Sequence, residues 1–259
     1  MRTKEGYWGV PWTAEEVEYL KANYATIRTK DIAEKLERSY NAVVLRAKIE
    51  GLTSRHRSAK TSLVPGYFRE IDTPEKAYLL GLIASDGCIS ARNQLSIALS
   101  EKDVQLVEFA RDCIAPGGRI TGYVTKTGGR MMAFKVQNAE LAKDLAKWGI
   151  RPAKTLTMQW PTDLGPEMGR CYLHGYFDGD GSFSAEGIGR WAVVGGSPSF
   201  LVSVQEFVLA ETGIKIGGPY QDRRHEHAWS IVATGEPVRA LDAWLQQDGL
   251  GLARKRFGD

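Results

Sequence analysis

The sequence predicts an α+β protein: a duplicated α-β-β-α-β-β-α unit with antiparallel sheets, preceded by a small domain of three short helices. Three observations predict it. An unusual phrase occurs twice, YLLGLIASDGC at 78–88 and YLHGYFDGDGS at 172–182. Each copy is followed by strand-like and helix-like runs in the same order. Residues 11–52 instead carry helical spacing alone, with cap residues at suitable intervals.

In the helical domain, residues 1–52, Thr13 reads as an N-cap and Glu16 completes a capping box. Trp12, Val17, Leu20 and Tyr24 form an apolar stripe. A second helix is expected around 29–36, with Ile32, Ala33 and Leu36 facing inward. Ser39 caps a third, in which Ala42, Val43 and Ala47 point inward and Gly51 closes the helix. Three short helices, the last two joined by a tight turn, describe a helix-turn-helix unit. The WTAEE opening and the S-x-N-A-V-x-x-R-A run resemble Myb-like or homeodomain-like domains. On that reading Tyr40, Asn41, Val44, Arg46 and Lys48 face the DNA groove. Residues 53–70 lack periodicity and carry Arg55, Arg57 and Lys60, as expected of a basic linker able to follow a phosphate backbone.

The duplicated part divides into residues 71–165 and 166–259. QLSIALS alternates, with Leu95, Ile97 and Leu99 on one face and Gln94, Ser96 and Ser100 on the other. VQLVEFARDCI reads as a helix, RITGYVTKTGGRMMAFKVQ as a hairpin turning at Thr127-Gly128-Gly129, and AELAKDLAKWGI as a further helix. SFSAEGIGRWAVV, FLVSVQEFVLAETGI, PYQDRRHEHAWSIVA and EPVRALDAWLQQDGL repeat the order. Ala133-Phe134 is aligned with Ala228-Trp229.

Charge is unevenly spread. Residues 1–65 hold 12 Lys and Arg against 8 Asp and Glu, and the rest of the chain 22 against 23. A basic first quarter points toward nucleic acid, since Lys and Arg neutralise phosphates. No apolar run reaches the roughly 18 residues of a membrane span, and MRTKEGYWGV lacks the apolar core of a signal peptide. An intracellular, cytoplasmic protein without membrane contact is expected. Cys88, Cys113 and Cys171 show no CxxC spacing, which argues against a disulfide framework or structural zinc.

The repeated phrase carries the chemistry. Gly81 and Ser85 in the first copy, and Gly175 and Gly179 in the second, fall four apart, so each pair lies on one helix face where two backbones can meet. Packing the copies side by side about a pseudo-two-fold axis brings Asp86 and Asp180 together at the helix C-termini. Two carboxylates repel there, and each also faces the negative end of a helix dipole. A divalent cation reverses the sign of that interaction, which suits metal-assisted phosphodiester hydrolysis.

These phrases resemble the signature helices of the LAGLIDADG homing endonucleases in their single-chain form, over roughly residues 70–259. The first copy departs at its sixth position, Ala84, where the second has Asp178. Asp86 and Asp180 both keep the acid that is the family's metal ligand. The resemblance implies two saddle-shaped four-stranded sheets over duplex DNA and Mg2+, with Mn2+ or Ca2+ able to take the same sites. Asp86, Asp180 and the neighbouring Gly87, Ala84 and Gly179 would hold the ion. It also implies a catalytic lysine after the last helix of each half, Lys154 in GIRPAK and Lys255 in LGLARKR, with Arg256 an equal alternative to the latter. Polar strand residues would then read bases: Arg92, Gln94, Ser96, Arg119, Thr121, Tyr123, Arg130 and Lys135 in the first half. In the second they are Ser184, Glu186, Arg190, Gln221, Arg223 and Ser230. The implied activity is a monomeric, site-specific endonuclease that cuts both strands and leaves short 3′ overhangs.

Other readings fit less well. A calcium EF-hand starting at Asp178 would need Gly at 183 and Glu at 189, where the chain has Phe183 and Gly189. A DxD transferase site leaves the first copy unexplained. His225-x-His227 has no further ligands in view and reads as exposed strand histidines, and His174 reads as packing. An intein is disfavoured by the first and last residues. A catalytically silent transcription regulator or an RNA maturase on the same scaffold is the alternative function.

Overall fold

The computed structural model describes residues 11–27, 29–52, 63–184 and 189–256. Two compact units divide the chain, 1–62 and 63–259.

In the first unit, helices α1 (Ala14–Asn23), α2 (Thr29–Lys35) and α3 (Tyr40–Ile49) enclose a small core of Leu20, Tyr24, Ile32, Ala33, Val43 and Ala47. The caps form as the sequence suggests. Thr13 Oγ1 accepts from the Glu16 amide and the Glu16 carboxylate accepts from the Thr13 amide, while Ser39 Oγ accepts from the Ala42 amide. Arg38 Nε and Nη2 then donate to the same Glu16 carboxylate, at 3.0 and 2.8 Å, tying the start of α3 to the start of α1.

The second unit contains two sheets. Helix α4 (Pro74–Ser85) leads into β1 (Gly87–Ile89), β2 (Gln94–Ser100), α5 (Val104–Ile114), β3 (Ile120–Val124), β4 (Arg130–Gln137) and α6 (Ala139–Lys147). Helix α7 (Pro166–Asp180) leads into β5 (Gly181–Ser184), β6 (Arg190–Gly195), α8 (Pro198–Thr212), β7 (Gly217–Gln221), β8 (Trp229–Thr234) and α9 (Pro237–Leu245). All pairings are antiparallel, in the orders β1-β2-β4-β3 and β5-β6-β8-β7. The same connectivity twice is what the repeated sequence order predicts.

One core serves both halves, because α4 and α7 pack directly on one another at its centre. Tyr78, Leu79, Leu82, Tyr172, Leu173 and Phe177 from these helices join strand residues such as Ile97, Phe134, Trp191 and Ile231 in a single buried cluster. Close contact needs the glycines. A Cβ on Gly81 would lie 1.9 Å from the Tyr172 carbonyl oxygen, and one on Gly175 would lie 1.9 Å from that of Tyr78.

Three sequence expectations shift. Residues 63–70, assigned to the linker, belong to the second unit: Phe68 is fully buried, its carbonyl accepts from Trp148 Nε1, and the Val64 amide bonds to Ile114 O. The strand alignment slips by two. Ile97 pairs with Gly87 and Phe134 while Val193 pairs with Gly181 and Ile231, so Phe134 corresponds to Ile231 and not to Trp229. A two-residue slip preserves the inward face, which is why alternation alone does not detect it. His225 and His227 lie in the exposed connection between β7 and β8, outside the strands. Among the described residues, no helix is long and apolar enough to cross a membrane.

Candidate active site and nucleic-acid interface

Asp86 is the C-cap residue of α4, and Asp180 is the last residue of α7. The helix contact brings them to one place. Gly179 lies so near α4 that a Cβ there would stand 2.0 Å from Ser85 Oγ and 2.6 Å from Asp86 Oδ2. Ser85, Asp86, Gly179 and Asp180 thus meet where the two helices end.

The electrostatics follow from this crowding. Burial, and then repulsion from Asp180, push the Asp86 carboxyl up to about 6, partly offset by Lys255 and Lys154. Asp180 is raised mainly by desolvation and lowered in part by the same two lysines. Its side chain stays open to solvent, whereas Asp86 is half-buried.

Both lysines come to this place as well, by different contacts. Lys154 opens the short 3-10 turn Lys154–Leu156 behind Ala153, which adopts a left-handed conformation. Its ammonium is buried and donates to the Ser85 carbonyl at 3.2 Å. Lys255 closes the 3-10 turn Ala253–Lys255. Its ammonium is enclosed by the end of α7, with the carbonyls of Phe177 at 3.0, Asp178 at 2.7, Gly179 at 3.4 and Gly181 at 2.8 Å. Each lysine thereby places a cation at the negative end of a helix. Burial lowers the pKa of both, and the neighbouring aspartates oppose that shift. Arg256 turns elsewhere, to the carbonyls of Gly249 and Leu250.

Among the described residues no group of three or more His, Cys, Asp or Glu is arranged to hold a metal. The donor set fits a hard divalent cation of the Mg2+ type, which takes one or two carboxylates and completes its shell with water and phosphate oxygens. Asp86 and Asp180 would supply those carboxylates. Ala84 is buried in the core, Gly179 gives its carbonyl to Lys255, and Gly87 opens β1 with its backbone paired opposite Ile97.

Sequence reasoning missed a buried network beside the site. Asp178 Oδ2 accepts from the Tyr78 hydroxyl and, at 2.9 Å, from the Leu252 amide. His174 is fully buried and holds both Asp248 carboxylate oxygens through Nδ1, at 2.8 and 3.0 Å. Arg254 forms a paired ion bridge to Asp103 in the first half. The signal available in the sequence was the difference between the copies, Asp178 and His174 against Ala84 and Leu80 at the matching places.

The strand candidates separate by face. Leu95, Ile97, Leu99, Phe134 and Val136 face the core, so Gln94, Ser96, Lys135, Thr121 and Tyr123 share the opposite face, and Arg119 continues that alternation. In the second sheet Ser184, Arg190 and Ser230 lie opposite the core residues Trp191, Val193 and Ile231. Arg190 Nη1 donates to Ser182 Oγ at 3.3 Å. Tyr220, which pairs with Ser230 and is exposed, belongs to this face and was not singled out by its sequence context.

Four candidates sit elsewhere. Arg92 lies in the β1–β2 turn and Arg223 in the β7–β8 connection. Arg130 pairs with Val124 at the hairpin end and reaches Glu101 at 3.6 Å. Gln221 pairs with Trp229 on the core-side alternation and donates to Glu226 O. Short strands and hairpin ends break the simple even-odd rule by which these were assigned. Glu186, Arg55, Arg57 and Lys60 lie outside the described residues.

On α3, Tyr40, Asn41, Val44 and Lys48 are exposed. Arg46 is committed within its own unit, bonded to Glu50 at 2.6 Å with its guanidinium above the Trp12 ring. Charge alone does not tell a groove contact from an intrahelical ion pair.

No protein-family model matches the chain, and no curated protein matches it. Solved structures with a similar chain path include the N-terminal LAGLIDADG domain of DUF199/WhiA, at 11% identity and TM-score 0.47 over 74% of this chain and 95% of that one. The homing endonuclease I-WcaI bound to its DNA recognition sequence gives 13% and 0.48 over 88% and 96%. The LAGLIDADG meganuclease I-AabMI bound to uncleaved DNA gives 13% and 0.43 over 68% and 83%. At these values the functional reading rests on the residues of this chain.

Proposed function

We propose that the chain is a divalent-metal-dependent endonuclease acting on duplex DNA, and that Asp86 and Asp180 form its reactive centre. The observation that carries the proposal is the meeting of these two carboxylates at paired helix ends, with two buried lysines beside them. Stability alone does not favour such an arrangement, because burial and mutual repulsion both work against it.

A divalent cation held by Asp86 and Asp180 would supply Lewis-acid polarisation of a scissile phosphate and ease ionisation of an attacking water. The carboxylates present the hard oxygen donors and the negative charge that such an ion requires. Lys154 adds positive charge beside them, suited to an anionic phosphate oxygen. The outward faces of both sheets offer mostly neutral donors and acceptors, Gln94, Ser96, Thr121, Tyr123, Ser184 and Ser230, with Lys135, Arg119 and Arg190 for phosphates. Tyr40, Asn41, Val44 and Lys48 of α3 give the first unit a DNA-binding face, and tethering the two modules raises their combined affinity.

Incubation with randomised duplex DNA and Mg2+, followed by sequencing of the broken ends, tests this. Discrete staggered ends are expected, and specific binding without breaks would move the assignment to a DNA-binding regulator or an RNA maturase. That second reading is favoured by one observation, the full engagement of Lys255 by backbone carbonyls.

A further inference from the structure

The two lysines beside the carboxylates are not equivalent. Lys255 Nζ has four carbonyl oxygens within 3.4 Å, three of them at 3.0 Å or less, all contributed by residues 177–181. An ammonium has three N–H bonds, so its donors are fully used. Among the described residues Lys154 Nζ has one such contact, Ser85 O at 3.2 Å, which leaves donors for another oxygen.

The surroundings reinforce the difference. The turn that carries Lys255 is fastened on three sides: the Leu252 amide donates to Asp178 Oδ2, Arg254 pairs with Asp103, and Arg256 closes back on Leu250 O. Asp178 is itself held by the Tyr78 hydroxyl of α4. The first copy has Ala84 at the position of Asp178, so no side chain there can make the corresponding tie. Lys154 instead follows Ala153, a non-glycine residue at φ 58°.

We infer that Lys255 is a positioning residue that clamps the end of α7 and so fixes Asp180, whereas Lys154 is the lysine that contacts the scissile phosphate. The inference rests on the endonuclease reading for Lys154 but not for Lys255, whose clamp is independent of any substrate. The two halves then differ in chemistry despite their common topology, and one strand depends on Lys154 more than the other.

Thermal unfolding of K154M and K255M in metal-free buffer separates the roles without any DNA. K255M takes the ammonium away from the carbonyls of residues 177–181 and is expected to lower Tm by about 4 °C or more, while K154M stays within about 2 °C of the parent. Equal losses would overturn the inference. Should K255M give no folded protein, K255R takes its place, because a planar guanidinium cannot reach carbonyls on three sides of one point; a parent-like Tm for K255R would count against the clamp. Strand-resolved cleavage of randomised duplexes then reads the second half. K154M is expected to lose one strand's cut at least tenfold at saturating Mg2+ with an unchanged Mg2+ midpoint, and K255M or K255R to raise that midpoint. A raised midpoint in K154M alone would reverse the assignment. If the parent makes no breaks, the endonuclease reading fails while the Tm comparison still decides the clamp.

Discussion

Gly81 and Tyr172 meet so closely that a Cβ on the glycine would lie 1.9 Å from the Tyr172 carbonyl oxygen, and Gly175 stands in the same relation to Tyr78. This reciprocal pair sets the spacing of α4 and α7, and with it the separation of the two carboxylates at their ends. Gly81→Ala and Gly175→Ala must each push the helices apart. Each is expected to cost about 3 kcal/mol or more, or to prevent folding, because the obstacle is backbone that cannot rotate away. Gly128 has open space around its Cβ position but φ +85°, so Gly128→Ala should cost only about 1 kcal/mol. Denaturant unfolding of the three variants checks the order.

Asp86 makes stability depend on pH. Its folded pKa, about 6, lies above the ordinary carboxylate value of 3.8. The folded state therefore holds a proton that the unfolded state gives up first, so this contribution is present below about pH 4 and is lost as pH rises through about 6. In metal-free buffer, Asp86→Asn should flatten the stability profile across that window. At pH 7 it should be more stable than the parent by about 1–3 kcal/mol. Added Mg2+ should reverse the ranking at pH 7 by stabilising the parent alone.

Tyr78 and Asp178 join α4 to α7 through a buried hydrogen bond. Asp178→Ala leaves both the Tyr78 hydroxyl and the Leu252 amide without this acceptor and should cost about 2 kcal/mol or more. Tyr78→Phe should cost less. A double-mutant cycle on unfolding free energies should return a coupling of about 1–3 kcal/mol, and a value near zero would show that the bond contributes nothing specific.

In the first unit, Arg46 and Lys48 should behave differently although they are two residues apart. Arg46 bonds to Glu50 and lies over Trp12, so Arg46→Ala should cost about 1 kcal/mol of stability. Lys48 is exposed, and Lys48→Ala should leave stability within about 0.5 kcal/mol. Titrating duplex DNA at several salt concentrations should show that Lys48→Ala reduces the salt slope by about one contact.

Much of the fold was legible because each element repeated its own signal twice. Leu95, Ile97 and Leu99 alternate cleanly, and the observed strand bounds match the run QLSIALS. The glycines four apart marked the helix contact, since nothing larger fits against the Tyr172 and Tyr78 carbonyls. Asp86 and Asp180 stood out by electrostatic implausibility, a signal that needs no tertiary information beyond the pairing of two helices. The network around Asp178 was hidden because Asp248 and Leu252 lie dozens of residues from His174 and Asp178 and meet them only through the C-terminal turn. The slip of the aromatic alignment arises because periodicity reports a face and not a register, whereas Gln221 and Arg130 stand at strand and hairpin ends, where the even-odd rule gives way. Residues 63–70 read as linker because their attachment is made by scattered contacts, the buried Phe68 ring, its carbonyl to Trp148 and the Val64 amide to Ile114 O, and these have no period.

Whether Asp86 and Asp180 together cut DNA can be read from the broken ends themselves. The most direct test sequences both strands' broken ends after randomised duplexes are incubated in Mg2+ with the parent, Asp86→Asn and Asp180→Asn proteins, each first shown to fold and bind DNA. Discrete breaks on both strands are expected for the parent, and loss of double-strand breaks by at least about a hundredfold in each variant. Variants that bind normally and still break both strands at the parental rate would contradict this expectation.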